Sequence, residues 1–331
     1  MRPFVLIVSY IVAGLSLILL LVWLFVVAIY PRVGPPPSFT VDATTERMER
    51  GRYLVENVTQ CFACHGELKT SQPGAPLVRE RAGGPGVSWT TSDGEALPAP
   101  NISPTGVSTW TDGELARAIF LGVDTKGEAL RPSMPYPHYG FMCLEDRLSM
   151  LAYLRSVPPV KGDVPRASRS YLESLMLSVI PREDPVPACD PDLSGAEAGL
   201  YLTTIAACST CHTPTRAGVP DLARAFSGGT PFVLEARTVV SKNLTPDVAT
   251  GIGRWSAEDF VERFARHRAS SKNTPATTPP GHAKHEDHNL GPMPWSGYAG
   301  LRDDDLRAIF SYLQTLPEIR NDAAPASQPH P

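Results

Sequence analysis

The chain has 331 residues, enough for about two domains with ordinary cores. Its 30 basic and 34 acidic side chains leave it mildly acidic, and without a Lys/Arg stripe it lacks the electrostatic footprint of a nucleic-acid binder. Thirty-four prolines, about twice the usual share, argue for long ordered loops rather than extensive sheet.

In chain order, the first element is apolar. From Phe4 to Ile29 no residue is charged, and Leu, Ile, Val and Phe dominate. Such a run crosses a bilayer as a helix, with some tilt. A cleaved signal peptide is the rival, but its apolar region is about half as long and ends at small residues. This run ends Val-Val-Ala-Ile-Tyr-Pro, with no Ala-x-Ala-like site. Residues 1–30 are therefore expected to be an uncleaved transmembrane anchor, with Trp23 and Tyr30 near its outer interface. Charge alone orients it weakly, since Arg2 precedes the span and Arg32 comes after it. Residues 31–44 open with a proline-rich stretch from Pro31 to Phe39, a stiff spacer that lifts the first domain off the membrane.

Beyond the spacer, four blocks occur twice in the same order. Glu49–His65 lies over Glu197–His212 with one residue of slack, and the stretch from Asn101 over that from Asn243. Ser133–Phe141 answers Pro292–Gly300, and Met150–Val160 matches Ile309–Ile319. The pattern predicts a duplicated domain, 45–160 and 195–319, joined by a linker at 161–194 and trailed by a flexible tail at 320–331. Each block reads as helix or loop. Met48, Leu54, Val55 and Val58 recur at helical spacing before the first cysteine pair. Thr111–Glu114 and Ser256–Asp259 are capping-box signals, and Pro158 and Pro317 stop the last helix of each domain. No alternating run is long enough for a sheet, so the fold class is all-α. In the linker, Leu172, Leu175, Met176 and Val179 share one helical face, which predicts a bridging helix packed on a domain.

Cys61-Phe-Ala-Cys64-His65 and Cys208-Ser-Thr-Cys211-His212 fit the attachment pattern of a c-type haem. On one helical turn, two thiols reach the two vinyl groups of one porphyrin, and the next imidazole faces the iron. A redox dithiol, half a zinc site and a structural disulfide are the competing uses. Two copies, each after a matched helix, favour two covalent haems. The sixth iron ligand then decides the chemistry. Met293, between Pro292 and Pro294, is the one methionine after His212, and Met134 holds the equivalent point of the first domain. Met142 and Met150 are rivals there, but Met150 falls within the last helix and Met142 has leucine as its counterpart.

With the Asn-x-[Ser/Thr]-Pro block, the Trp before a capped helix, the Met-Pro loop and the closing Tyr-Leu helix, the chain resembles membrane-anchored dihaem cytochromes c. More narrowly, it resembles the cytochrome c subunits of bacterial periplasmic alcohol, aldehyde and gluconate dehydrogenases, over residues 45–160 and 195–319. The resemblance implies two tandem class I cytochrome c domains, His/Met ligation through His65, Met134, His212 and Met293, and one-electron transfer. It implies no catalytic residue in this chain: a periplasmic dehydrogenase is the donor, and a terminal oxidase, a quinone site or another cytochrome the acceptor. The location implied is the bacterial inner membrane, with the soluble domains in the periplasm. The family often carries three haems, and this chain has motifs for two.

Haem c is attached outside the cytoplasm, where disulfides persist, so Cys143 and Cys189 are expected to pair. An insertion before Met293 carries His282, His285 and His288, expected to be a solvated loop rather than a metal site. His138 and His267 have no evident partner. The alternative functions are a dihaem peroxidase or thiosulfate-oxidising enzyme, which needs an open or differently ligated iron, and a fixed cytochrome subunit of a terminal oxidase.

Overall fold

The computed structural model describes residues 2–69, 76–90, 96–165, 167–183, 185–190, 192–216, 218–234, 237–268 and 293–323. It is largely helical. Helix α1 (Arg2–Ile29) stands apart, and none of its apolar stretch is buried. The remaining elements form two halves with the same local plan.

In the first half, α2 (Thr45–Tyr53) is capped by Thr44, runs into a π-helical turn at Leu54–Val58, and delivers the one-turn helix α3 (Cys61–Cys64). A capped helix α4 (Asp112–Ala116), a one-turn α5 (Tyr136–Tyr139) and a closing α6 (Leu144–Ser156) come next. After the linker helix α7 (Tyr171–Ser178), the second half repeats this with α8 (Gly195–Ile205), α9 (Cys208–His212), α10 (Ala257–Ala265), α11 (Trp295–Tyr298) and α12 (Asp303–Leu313). Both capping boxes form as expected, Thr111 with Glu114 and Ser256 with Asp259.

Two helix crossings organise the core. α2 packs on α6 and α8 on α12. A β-carbon at Gly51 would lie 1.9 Å from the Ser149 carbonyl oxygen, and one at Gly199 would lie 2.0 Å from that of Ala308. Only glycine permits helices this close. The loop after each closing helix is stapled in the same way. Asn101 Nδ2 donates to the carbonyl of Val160 at 2.6 Å, and Asn243 Nδ2 to that of Ile319 at 2.7 Å. Each asparagine Oδ1 accepts from the backbone N–H two residues on, at Ser103 and Thr245.

Three features depart from the sequence expectation. Short antiparallel hairpins are present: β1 (Gly86–Thr90) with β2 (Ala96–Ala99), β3 (Thr215–Arg216) with β4 (Val219–Pro220), and β5 (Pro231–Leu234) with β6 (Arg237–Val240). Strands this short, one of them bulged, fall below what alternation reveals. The proline-rich segment does not stand off as a spacer but lies along α4. There the Val41 N–H donates to Asp112 Oδ2 at 2.8 Å, and a β-carbon at Gly113 would strike the Pro37 carbonyl. Helix α7 forms, but its apolar face is open, with Leu172 and Met176 each 64% exposed.

Cys143 and Cys189 are joined in a disulfide that ties the start of α6 to the linker across 46 residues. The halves meet through reciprocal contacts. Tyr201 on α8 donates to Asp146 Oδ2 on α6 at 2.6 Å, and the equivalent Tyr53 on α2 donates to Asp305 on α12. The Asn57 side chain, in the π-helical turn before the first cysteine pair, donates to the Gly297 carbonyl in α11 at 3.0 Å. In the opposite sense, Thr210 in α9 shares a 2.9 Å hydrogen bond with His138 in α5. Each half offers the other the same surfaces, the pattern of isologous contact.

Gly51→Ala and Gly199→Ala are each expected to lose about 2–3 kcal/mol, because the obstructing atom is backbone and the crossing must open. Urea unfolding followed by circular dichroism measures this, and a loss under about 0.5 kcal/mol at both sites would disprove the close crossing.

Candidate functional site

Each cysteine motif is entered through a strained residue. Gln60 (φ 49°) and Ala207 (φ 55°) are non-glycine residues in the left-handed region, each directly before the first cysteine of its pair. The conformation costs on the order of 1–2 kcal/mol, and it redirects the chain from α2 or α8 into the short helix that bears the thiols. Because α3 and α9 are helical, the two sulfurs of each pair lie one turn apart on the same side.

The imidazoles are fixed from behind. His65 Nδ1 lies 2.7 Å from the Pro100 carbonyl oxygen, and His212 Nδ1 lies 2.8 Å from that of Lys242. A carbonyl only accepts, so Nδ1 carries the proton and Nε2 keeps its lone pair. The hairpins place these carbonyls: Pro100 directly follows β2, and Lys242 comes just after β6. Desolvation lowers both imidazole pKa values, which keeps the rings neutral, the state a metal ligand requires.

The cysteines are suited to bonding rather than to exchange. Burial pushes the Cys61 thiol up to about 11 and Cys208 up to about 12. Dithiol exchange uses the opposite arrangement, a depressed thiol pKa. Among the described residues, no three His, Cys, Asp or Glu side chains converge to hold a metal ion.

The methionine loops are alike in detail. The Tyr136 N–H donates to the Met134 carbonyl at 2.7 Å, and the Trp295 N–H to the Met293 carbonyl at 2.8 Å. At the same spacing beyond each methionine stands a tyrosine, Tyr139 buried and Tyr298 half-buried. Tyr139 lies beside Cys61 and Cys64 and donates to the Thr59 carbonyl at 3.2 Å. Tyr298 lies beside Cys208 and Cys211 and donates to the Ala206 carbonyl at 3.0 Å. Each tyrosine thus holds a methionine loop against the cysteine pair of its own half. Both methionines are half-buried at the edge of the core, whereas Met142 and Met150 are fully buried within it. Two thiols one turn apart, a neutral imidazole with Nε2 available and a nearby thioether form a donor set that fits a covalently attached haem.

No protein-family model matches the chain. It is 28% identical over 311 residues to the cytochrome c subunit of the alcohol dehydrogenase (quinone) of Gluconacetobacter polyoxogenes, covering 86% of this chain and 59% of that protein. It is 28% identical over 294 residues to the gluconate 2-dehydrogenase cytochrome c subunit of Pantoea cypripedii, covering 83% and 60%. A diheme cytochrome c-type protein of Cereibacter sphaeroides is 27% identical over 270 residues, which cover 78% of this chain and 82% of that one. All three of these relatives are named as cytochrome c proteins. The chain spans about three-fifths of the length of the dehydrogenase subunits it matches.

Sequence reasoning missed several residues of this cytochrome-like site. Tyr139 and Tyr298 were open to discovery, since both methionine blocks carry a tyrosine at the same position. The carbonyls of Pro100 and Lys242 leave no side-chain signal. His138 has a partner after all in Thr210, and His267 stacks on Trp295 with ring centroids 4.5 Å apart. His282, His285 and His288 lie outside the described residues.

Desolvation is the main cause that holds the phenols of Tyr53, Tyr139, Tyr201 and Tyr298 well above the ordinary value of about 10. Folding therefore favours their protonated form. The stabilisation is complete below pH about 10 and falls as pH rises toward the folded-state values, because only the unfolded chain releases protons there. Urea midpoints measured across that alkaline range are expected to drop, and to drop less steeply in the Tyr139→Phe/Tyr298→Phe variant. Identical pH profiles for the two proteins would rule out buried, protonated phenols.

Proposed function

We propose that this chain is a membrane-anchored dihaem c-type cytochrome that passes single electrons from a periplasmic dehydrogenase into the respiratory chain. Cys61 and Cys64 hold one haem through thioethers, with His65 and Met134 as axial ligands. Cys208, Cys211, His212 and Met293 hold the second in the same way. Residues 45–160 and 195–319 are then tandem class I cytochrome c domains. Residues 1–30 anchor them to the inner membrane, with both domains on the periplasmic side.

One observation carries this reading: a cysteine pair, a backbone-locked imidazole and a tyrosine-tethered methionine loop occur together twice, with the same partners. When bound, each haem supplies a one-electron couple whose potential methionine sulfur raises. The chain's own residues do the rest. His65 and His212 present Nε2 in a fixed orientation because Nδ1 is committed to a carbonyl. Tyr139 and Tyr298 hold the methionine loops against the cysteine pairs, where Met134 and Met293 would ligate a bound haem and keep substrate from it. Reciprocal contacts between the halves set one site against the other, which favours passage of an electron within the molecule.

The Cys143–Cys189 disulfide suits an oxidising compartment. The names of the relatives favour a dehydrogenase as donor, with the oxidation of its substrate carried out by that partner. A terminal oxidase, a quinone site or another cytochrome is the acceptor.

The ferric holoprotein is expected to show the weak near-infrared absorption of sulfur-to-iron charge transfer. Met134→Ala and Met293→Ala are each expected to remove about half of it, and the double variant all of it. An undiminished band in the double variant would refute the ligand assignment. Turnover of peroxide or thiosulfate by the purified chain alone would refute the carrier role.

A further inference from the structure

Helix α7 turns its apolar face outward. Leu172, Met176, Val179 and Ile180 recur at helical spacing, and together with Tyr171 all are exposed, Leu172 and Met176 the most at 64%. The other side of the segment is engaged. Glu173 pairs with Arg131 at 2.8 Å, Arg169 bonds Glu128 and the Ala129 carbonyl, and Ser170 caps the helix at Glu173. Arg131 in turn accepts, through its carbonyl, the N–H of Met134. The helix is thus held to the first half by its polar face, at the base of a methionine loop.

Its surroundings show what covers the open face. The Tyr171 hydroxyl is hydrogen-bonded to Trp23 Nε1, on the last turns of α1. Just past α7, the chain pairs with the foot of α1: Arg182 forms a parallel bridge with Arg32, the Glu183 N–H donates to the Arg32 carbonyl at 3.1 Å, and Gly34 N–H donates to Glu183 Oε2 at 3.0 Å. The apolar span covers 27 residues. As a helix it is about 40 Å long, against a hydrocarbon thickness of about 30 Å. With Pro3 at the inner boundary, about 20 residues fill the hydrocarbon, which leaves Trp23 at the lower edge of the headgroup layer. A helix touching Trp23 at its start, and followed by a link from Arg182 to Arg32, rises from that edge alongside the end of α1.

We infer that α7 is an interfacial helix whose Tyr171, Leu172, Met176, Val179 and Ile180 face sinks into the outer leaflet of the membrane that α1 spans. This rests on the membrane-anchored reading proposed above. The occupant is lipid: continuity with α1 places the face at the acyl–headgroup boundary. The consequence is orientation. A single spanning helix leaves the soluble part free to swivel, whereas a second contact fixes the first half, with its Met134 loop, at a set angle to the bilayer.

The test uses the full-length holoprotein in vesicles of phosphatidylethanolamine and phosphatidylglycerol. A nitroxide is attached to Met176→Cys, to Ser174→Cys on the engaged side, and to Leu19→Cys within α1. Collision with dioxygen, which concentrates in acyl chains, is compared with collision with a water-soluble nickel chelate. At Met176→Cys the oxygen-to-nickel ratio is expected to be several-fold higher than at Ser174→Cys and to approach that at Leu19→Cys. Lipid exposure at Leu19→Cys with water exposure at Met176→Cys would overturn the interfacial helix and leave the anchor intact. Water exposure at Leu19→Cys would overturn the anchor and the inference together. Shielding of Met176→Cys from both reagents would mean that protein covers the face, which also overturns it.

Discussion

Everything beyond α1 depends on a crossing of two helices at a glycine. With no β-carbon at Gly51, the α2 backbone settles onto the Ser149 carbonyl, and Gly199 lets α8 do the same at Ala308. A crossing this close fixes where each first helix ends. The ends matter because a left-handed residue there, Gln60 or Ala207, throws the chain into the turn that carries two thiols and an imidazole. Strained non-glycine residues persist only where the surrounding packing over-determines them. Of the three such residues among those described, two stand at matched positions directly before the chemistry, and the third is Phe226.

A second layer converts that turn into a donor set. A hairpin carries a backbone carbonyl to each Nδ1, and a tyrosine ties each methionine loop to the residues preceding the cysteines. Both devices are backbone-directed, so their precision comes from hydrogen-bond geometry and tolerates change in the side chains around them. This accounts for a site that keeps its form in two halves whose sequences agree only in short blocks.

The helical elements, the cysteine motifs and both methionine loops were legible because helical period, capping boxes and duplication each leave a local pattern. The hairpins were not, since strands of two to five residues carry too little alternation. Nor were the imidazole partners, because a carbonyl oxygen has no residue type. Helix α7 was legible from its apolar stripe, but which side would meet the first half was not, because periodicity says only that a face seeks cover and here the polar side makes the contacts. The proline run was misread because composition describes stiffness in isolation, and here Val41 and Pro37 are held by α4.

The contact between the halves is unusual for a boundary inside a chain, where small, mobile interfaces are the default. Here equivalent tyrosines reach across in both directions, Tyr53 to Asp305 and Tyr201 to Asp146. Asp146 is also gripped at two points by Arg50, at 2.7 and 2.8 Å, which compensates the cost of burying its charge. The disulfide at Cys143 lies at the start of the same helix, next to Tyr201, and so braces this corner covalently. A phenol that bonds an ionised carboxylate must meet it at one angle and one depth, so these pairs define a register, whereas apolar contact alone allows sliding. Because His138 comes after the Met134 loop and Thr210 lies between Cys208 and Cys211, that register also sets the second cysteine turn against the first methionine loop. The same polar contacts that make the halves rigid therefore govern the separation of their two sites, the variable on which any passage of charge between them depends.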